Sequence, residues 1–436
     1  MTADSTGLVG ALVRDLTLRG GFNTSTVLLG TSLLGLAAGL VGAVAMLRRR
    51  SLTADAIGHA TLPGLAGAFL IASAVGLDQR SLPVLLAGAA VAALASVAVI
   101  QWLARQPRTH EDAAIGIVLS VFFGVGVVLL SLVQNKAPKG SAGLKDFLFG
   151  QAATMLPGDV YTIGAIAGVC ALGVLLFRRE MAVVCFDRGF AHAGGWPVAL
   201  MDAVIMVLIV LVTVAGLRNV GVVMVVALLV IPPVTARLWT ERYHRMLMLS
   251  AALGACSGYI GSAISAAFEH APTGAVIILT SGVLFLVSLT AAPKRGVLAS
   301  AARSVFLRLR IAGDHVLEAA HDAGTSRLDR HGLMQIAADR RWNALFRNAV
   351  ILSLQRRGLL KARTPEGWQL TPGGTGRGAR VARTHELWAE YLVRRADIAG
   401  THVGWSVDQV EHVLDAETIQ RLETELGGHV HARAQA

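Results

Sequence analysis

The chain has 436 residues, of which 54% are hydrophobic and 15% are charged, and its formal net charge is +11. Soluble domains carry about 25% charged residues, so this composition excludes a wholly soluble protein. Apolar runs fill residues 27–292 and ordinary soluble sequence follows, which predicts a membrane part and then a soluble part. In a membrane protein, positive charge first indicates cytoplasmic loops rather than nucleic-acid binding.

Nine apolar runs approach the ~20 residues that a helix needs to cross a bilayer. They lie at residues 27–47, 60–76, 81–104, 113–133, 158–177, 198–217, 219–238, 246–267 and 273–292. The second run is short and the seventh contains Pro232 and Pro233, so either could be a broken or re-entrant helix. Eight spans therefore stay open as an alternative to nine.

Basic residues concentrate in alternate loops between these runs. They are Arg48–Arg50, Arg105, Arg108, Arg178, Arg179, Arg188, Arg237, Arg242, Arg245, Lys294 and Arg295. By the positive-inside rule these loops are cytoplasmic. We therefore expect the N-terminus outside the membrane and the soluble C-terminal part in the cytoplasm.

Asp55 and His59 stand four residues apart in an apolar stretch, so on a helix they share one face. A charge at bilayer depth costs about 2.5–3.5 kcal/mol on insertion scales, and such residues usually pair or line a pathway. A carboxylate and a neutral imidazole form a partial site for Mn²⁺, Zn²⁺ or Fe²⁺. The alternative is a salt bridge from Asp55 to Arg48–Arg50, with His59 hydrogen-bonded inside the bundle.

The segment CFDRGFAHAGGWP, residues 185–197, predicts a short amphipathic helix between two spans, of the kind that docks a partner. Two glycines would end this helix, and two phenylalanines would share one side of it. Its candidate contact residues are Phe186, Asp187, Arg188, Phe190, Gly194 and Gly195. The sequence contains no G-x-x-x-x-G-K-[ST] loop and no H-E-x-x-H motif, which predicts no enzymatic activity and ATP hydrolysis on a separate partner.

Residues 27–292 resemble the membrane permease of zinc/manganese/iron ABC importers. The resemblance rests on the stretches LRRRSLTADAIGHATLPGLAGAFL, EDAAIGIVLSVFFGVGVVLLS, FLFGQ, CFDRGFAHAGGW, NVGVVMVVALLVIPPVTARLW and PTGAVIILTSGVLFLVS, in the family's order. It implies a bacterial cytoplasmic membrane, a second permease subunit (an identical copy or a paralogue), a cytoplasmic ABC ATPase subunit and an extracytoplasmic metal-binding protein. It also implies that Asp55 and His59 belong to the metal pathway and that CFDRGFAHAGG couples to the ATPase. An ATP-independent secondary transporter is the alternative.

The soluble part of about 140 residues is long enough for a domain. GLMQIAADRRW and NALFRNAVILSLQRRGLLKAR predict a helix-turn-helix, and KARTPEGWQLTPGG predicts a two-stranded wing with its turn at Glu366 and Gly367. Clustered arginines are typical of proteins that bind nucleic-acid phosphate, and also of surfaces beside anionic lipid. The candidate phosphate contacts are Arg340, Arg341, Arg347, Arg356 and Arg357.

Residues 313–427 resemble the manganese/iron-dependent repressors of the diphtheria-toxin-repressor type, through DHVLEAA, HELWAEYL and VEHVL. The resemblance implies a regulatory metal site and dimerisation helices. The ligands carried over are His315, Glu318, His385, Asp408, Glu411 and His412. Ala389 replaces a glutamate and His315 replaces a carboxylate of that pattern, so the metal is not specified beyond Mn²⁺, Fe²⁺ or Zn²⁺. Scattered surface charges are the alternative.

The predicted fold is an all-α polytopic membrane bundle of 8–9 transmembrane helices with a C-terminal cytoplasmic winged-helix plus helical metal-sensor-like domain. The expected order is an N-terminal segment, a permease, a linker, a winged-helix-like domain, a metal-binding and dimerisation domain, and a tail, at residues 1–26, 27–295, 296–310, 311–375, 376–428 and 429–436. The predicted function is ATP-driven import of a divalent metal, with feedback from a metal-sensing tail. A permease whose tail is a membrane-tethered DNA-binding regulator is the rival.

Overall fold

The computed structural model describes residues 10, 13–19, 21–76, 81–136, 152–268, 271–361 and 367–395. The chain divides into two compact units, Met1–Ala299 and Ser300–Ala436. Each unit has its own hydrophobic core.

Eleven α-helices lie between residues 22 and 291 of the described part of the first unit, together with a 3-10 helix at Ala152–Thr154. They are α1 Phe22–Leu47, α2 Ser51–Val75, α3 Leu82–Ala104, α4 Glu111–Lys136, α5 Pro157–Leu176, α6 Arg178–Phe186, α7 Arg188–Ala193, α8 Val198–Val220, α9 Val222–Trp239, α10 Tyr243–Ala267 and α11 Thr273–Ala291. All but α6 and α7 are long and apolar enough to cross a membrane, which gives nine candidate spans within the described residues.

The two runs that the sequence left in doubt are both unbroken helices. α2 has 25 residues and contains Pro63, and α9 has 18 residues and contains Pro232 and Pro233. A proline inside a membrane helix is tolerated where neighbouring helices and side chains satisfy the backbone groups that it leaves. Of the two counts, the structure favours nine over eight.

α1 lies at the centre of the bundle, and 72% of its apolar window is buried. It packs closely on α10 because glycines meet where the two helices cross. A Cβ added to Gly35 would lie 2.1 Å from the carbonyl oxygen of Gly254. One turn further on, the hydroxyl of Ser250 donates to the carbonyl of Gly39 at 2.6 Å. α2, α3 and α4 pack against one another beside this centre.

The second unit consists of a long helix, a small sheet and three further helices. Its elements are α12 Val297–Asp322, β1 Arg327–Asp329, α13 Arg330–Asp339, α14 Ala344–Arg356, β2 Gly367–Gln369 and α15 Pro372–Arg395. The expected linker at residues 296–310 is helical from residue 297, because residues 297–310 are the first half of α12. No glycine or proline interrupts residues 297–312, and alanine, leucine and arginine are good helix formers.

The helix-turn-helix region agrees in its local structure with the sequence pattern. Asp329 caps α13 by accepting from the Gly332 amide, and Asn343 caps α14 by accepting from the Phe346 amide. β1 pairs with β2 antiparallel, and Leu360 bridges Leu370. Residues 362–366, which include the expected turn of the wing, lie outside the described residues. The winged helix therefore stays a prediction.

Candidate metal sites and coupling segment

Asp55 and His59 lie on one face of α2, as their spacing predicts. The Asp55 Oδ1 and His59 Nε2 atoms are 3.5 Å apart, and the two side chains are 38% and 29% exposed. The His59 ring packs edge-on against Phe123 of α4, with the ring centres 5.2 Å apart. Its Nδ1 atom is buried and has no hydrogen-bond partner among the residues that the structure describes. A carboxylate and an imidazole thus lie 3.5 Å apart with both side chains partly exposed, and these two donor types suit a divalent cation.

The arginine cluster before α2 contacts other carboxylates. The Arg48 guanidinium donates through Nε to Asp202 Oδ1 at 3.0 Å. The Arg50 guanidinium lies 3.5 Å from Asp202 Oδ2 and 3.0 Å from Glu111 Oε1. The alternative in which Asp55 pairs with Arg48–Arg50 is therefore not the arrangement seen.

Sequence reasoning missed Asp202, because its partners come from the distant α1–α2 turn. The signal that could have found it was a carboxylate inside an apolar run, close to a basic loop.

The predicted coupling segment, residues 185–195, consists of the end of α6 and all of α7, joined at Asp187, rather than of one helix. Asp187 ends α6 and caps α7, its Oδ1 accepting from the Phe190 amide at 2.8 Å. α7 ends at Gly194, and Gly195 follows with a φ of +74°, a conformation that favours glycine. Phe186 on α6 and Phe190 on α7 are 66% and 65% exposed. Two large apolar side chains are therefore mostly exposed at a turn that Asp187 caps and that Arg188 follows.

Three of the six predicted regulatory ligands meet in the second unit. The Oε1 atom of Glu318 on α12 accepts from His385 Nδ1 of α15 at 2.8 Å. The Oε2 atom of Glu318 lies 3.5 Å from His315 Nδ1. Burial raises the pKa of Glu318, but hydrogen bonds from His315 and His385 outweigh it and lower the pKa to about 2. The other three ligands, Asp408, Glu411 and His412, lie outside the described residues.

No group of three or more His, Cys, Asp or Glu within the described ranges is arranged to hold a metal ion. The trio of His315, Glu318 and His385 is therefore seen as a hydrogen-bonded cluster, in which a carboxylate separates two imidazoles. The donor chemistry, nitrogen and oxygen without thiolate, still suits Mn²⁺, Fe²⁺ or Zn²⁺.

A buried ion pair sets the register between α12 and α15. Arg377 donates to both oxygens of Asp314, at 3.1 and 2.8 Å, and the Asp314 side chain is 1% exposed. The hydrogen bond to Asp314 raises the pKa of Arg377, outweighing burial. Asp314 precedes Glu318 by one helical turn, and Arg377 precedes His385 by two. This pair therefore aligns the faces on which Glu318 and His385 meet.

The five predicted phosphate contacts lie at two ends of α14. Arg340 and Arg341 precede the helix, Arg347 lies in its first turn, and Arg356 and Arg357 lie at its C-terminal end. Four are exposed and Arg347 is half-buried. Arg347 and Arg356 are nine residues apart on the helix, about 14 Å along its axis.

Comparison with known proteins supports both halves of this description. The family model described as the ABC 3 transport family matches residues 23–292, more than half of the chain. The chain belongs to the ABC 3 transport family. A second model, the iron dependent repressor, metal binding and dimerisation domain, matches residues 371–432 of this ABC 3 chain. Both resemblances seen in the sequence are thus confirmed.

Two curated relatives share much of this ABC 3 sequence. A manganese transport system membrane protein of Bacillus subtilis is 37% identical over 377 residues, covering 86% of each chain. A zinc transport system membrane protein of Treponema pallidum is 43% identical over 277 residues, which is 64% of this chain and 91% of the relative. The first alignment is longer than the membrane half, so similarity to that relative continues into the second unit.

A solved structure has a fold similar to that of the membrane half. The structure described as PsaBC from Streptococcus pneumoniae in complex with Fab covers 66% of this ABC 3 chain and 97% of its own, at 30% identity and a TM-score of 0.56. The apolar helices and this membership identify a multi-pass membrane protein.

Proposed function

We propose that the chain is the permease of an ATP-driven importer for a divalent transition metal, Mn²⁺, Zn²⁺ or Fe²⁺. The observation that carries the proposal is the Asp55–His59 pair, a carboxylate and an imidazole 3.5 Å apart and partly exposed on one face of an apolar helix. The naming of the two relatives for manganese and zinc transport supports it. Oxygen and nitrogen ligands suit all three metals, so the pair does not select among them.

Asp55 and His59 supply two ligands, fewer than the four or more that these metals take. Water, or the same residues of a second permease subunit (an identical copy or a paralogue), would supply the rest. An incomplete site suits transport, because a pathway site must bind the ion strongly enough to admit it and weakly enough to release it.

The ATPase subunit would dock on the turn formed by α6 and α7. Phe186 and Phe190 are the apolar contacts there, and Asp187 with Gly194 and Gly195 sets the shape of the turn. An extracytoplasmic metal-binding protein would deliver the ion. With this topology the second unit lies in the cytoplasm, where imported metal reaches it.

The second unit would act as the metal sensor. Its ligands would be the trio around Glu318 together with Asp408, Glu411 and His412. Bound metal need only favour an inhibited state to shift the population towards it, which gives feedback on import. The DNA-binding rival would use the arginines at the two ends of α14 as phosphate contacts.

The test is uptake by the full chain in vesicles with its ATPase and binding protein, supplied with Mn²⁺, Zn²⁺ or Fe²⁺. Asp55→Ala and His59→Ala should each lower ATP-dependent uptake by about tenfold or more, the scale of losses at metal sites. His110→Ala and Asp112→Asn, which change exposed residues near the start of α4, are the matched controls. Unchanged uptake in both Asp55→Ala and His59→Ala would refute the assignment of these residues to the metal pathway. Uptake that continues with an inactivated ATPase would refute the ATP-driven mechanism.

A further inference from the structure

We propose that Asp202 is a positioning residue that transmits movement of the coupling segment to α2, and through α2 to Asp55 and His59. The inference rests on the proposed function and deepens it. Asp202 is the shared acceptor of two guanidinium groups, those of Arg48 and Arg50. Arg50 also contacts Glu111, so one charged cluster joins α8, the α1–α2 turn and α4.

The part of the cluster around Asp202 is buried, which makes its geometry stringent, whereas the Glu111 side chain is 41% exposed. The side chains of Arg48, Arg50 and Asp202 are 8%, 9% and 10% exposed. Buried charges tolerate separation poorly, because removing one partner leaves the other uncompensated in a low dielectric. Helices joined by such a cluster therefore move together rather than apart.

One side of the cluster leads directly to the metal pathway. Arg50 is the residue that precedes α2, and the helix begins at Ser51. Asp55 and His59 follow five and nine residues after Arg50, about 8 and 14 Å along the helix axis. A displacement of Arg50 is thus a displacement of the end of the helix that carries both ligands.

The other side leads to the coupling segment. Arg48 Nη1 donates to the backbone carbonyl of Val184 at 3.1 Å, in the last turn of α6. Asp202 lies in the second turn of α8, just after the segment that follows α7. The cluster therefore contacts the chain on both sides of α7, and a partner that shifts α7 pulls on it from both ends.

A cavity of about 460 Å³ adjoins the cluster. Arg50, Glu111 and Asp202 line it, and so do Arg188 and His192 of α7. Because Arg188 and His192 border this space, α7 can shift into it without displacing core side chains. The cavity gives the coupling segment room to move, and the contacts at Val184 and Asp202, before and after α7, connect it to α2.

The experiment compares metal transported per ATP hydrolysed by the full complex in vesicles. Asp202→Asn keeps the shape and removes the charge, so this ratio should fall about tenfold, within the usual range of coupling between sites. ATP hydrolysis and the apparent affinity for metal should stay within about twofold of the wild type, and Asp202→Glu should recover most of the ratio. Asp112→Asn is the matched control.

The outcomes separate this inference from the proposed function. Absence of ATP-dependent uptake in the wild type would refute the proposed function itself. Wild-type uptake with an unchanged ratio in Asp202→Asn, or a proportional loss of uptake and hydrolysis, would refute the role of Asp202. If Asp202→Asn does not reach the membrane folded, Arg50→Lys keeps the charge and removes the forked contact. It should lower the ratio as well, and an unchanged ratio there overturns the proposal.

Discussion

Glu318 makes the stability of the second unit depend on acid pH. The hydrogen bonds from His315 and His385 outweigh burial and lower its pKa from 4.5 to about 2. A carboxylate whose pKa is lower in the folded chain stabilises the fold above its unfolded pKa, and that contribution is lost as the pH falls through the folded pKa. The contribution of Glu318 should therefore be complete above about pH 5 and gone near pH 2.

The size of the effect follows from the same pKa difference. A shift from 4.5 to about 2 corresponds to about 3 kcal/mol, at about 1.4 kcal/mol per pKa unit. The Glu318 side chain is 13% exposed and that of His385 is 31% exposed, so solvent screens part of the interaction. We expect about 2 kcal/mol of pH-dependent stability.

Urea denaturation of a polypeptide covering residues 297–436 measures the free energy of unfolding across this pH range. Near neutrality the wild type should exceed Glu318→Gln by about 2 kcal/mol, and this difference should vanish towards pH 2, because glutamine carries no charge to lose. Glu386→Gln is the control, since the Glu386 side chain is 70% exposed. A difference between wild type and Glu318→Gln that stays constant with pH would refute the reasoning.

Two further substitutions test the packing of each unit. Asp314→Asn removes the charge that aligns α12 with α15, so Mn²⁺ affinity measured by calorimetry should fall about tenfold, the scale of lost positioning contacts. Asp322→Asn changes an exposed residue of the same helix and should leave the Mn²⁺ affinity unchanged. Equal Mn²⁺ affinities in the two variants would show that the ion pair does not set the register. Gly35→Ala places a Cβ 2.1 Å from the Gly254 carbonyl oxygen and should cost about 1–3 kcal/mol, lowering the melting temperature of the full chain in detergent. Gly124 has open space around it, so a Gly124→Ala protein that melts at the same temperature as Gly35→Ala would contradict the close approach.

The correspondence between sequence and structure is closest where the pattern is local. Runs of apolar residues predict spans because a bilayer demands about 20 of them, and nine such helices are found in the described residues. The four-residue spacing of Asp55 and His59 puts them on one face, since helix geometry depends only on neighbouring residues. Asn343 and Asp329 begin helices for the same reason.

The expected linker shows what the sequence pattern left unspecified. Residues 296–310 follow the last apolar run, which suggested a connecting segment. Yet helix propensity needs no burial to continue a helix that packing has already started, and the buried half of α12 around Val316 provides that start.

By itself, the sequence determined that there are eight or nine spans, which helical face Asp55 and His59 share, and the two family resemblances, because each depends on residues close together in the chain. Only the tertiary structure decided the partners of the charged groups. Arg48 meets Asp202 across 154 positions, and Glu318 meets His385 across 67. Spacing cannot specify such pairs, since they depend on which helices pack together. That packing is also what leaves Asp55 facing His59 rather than an arginine.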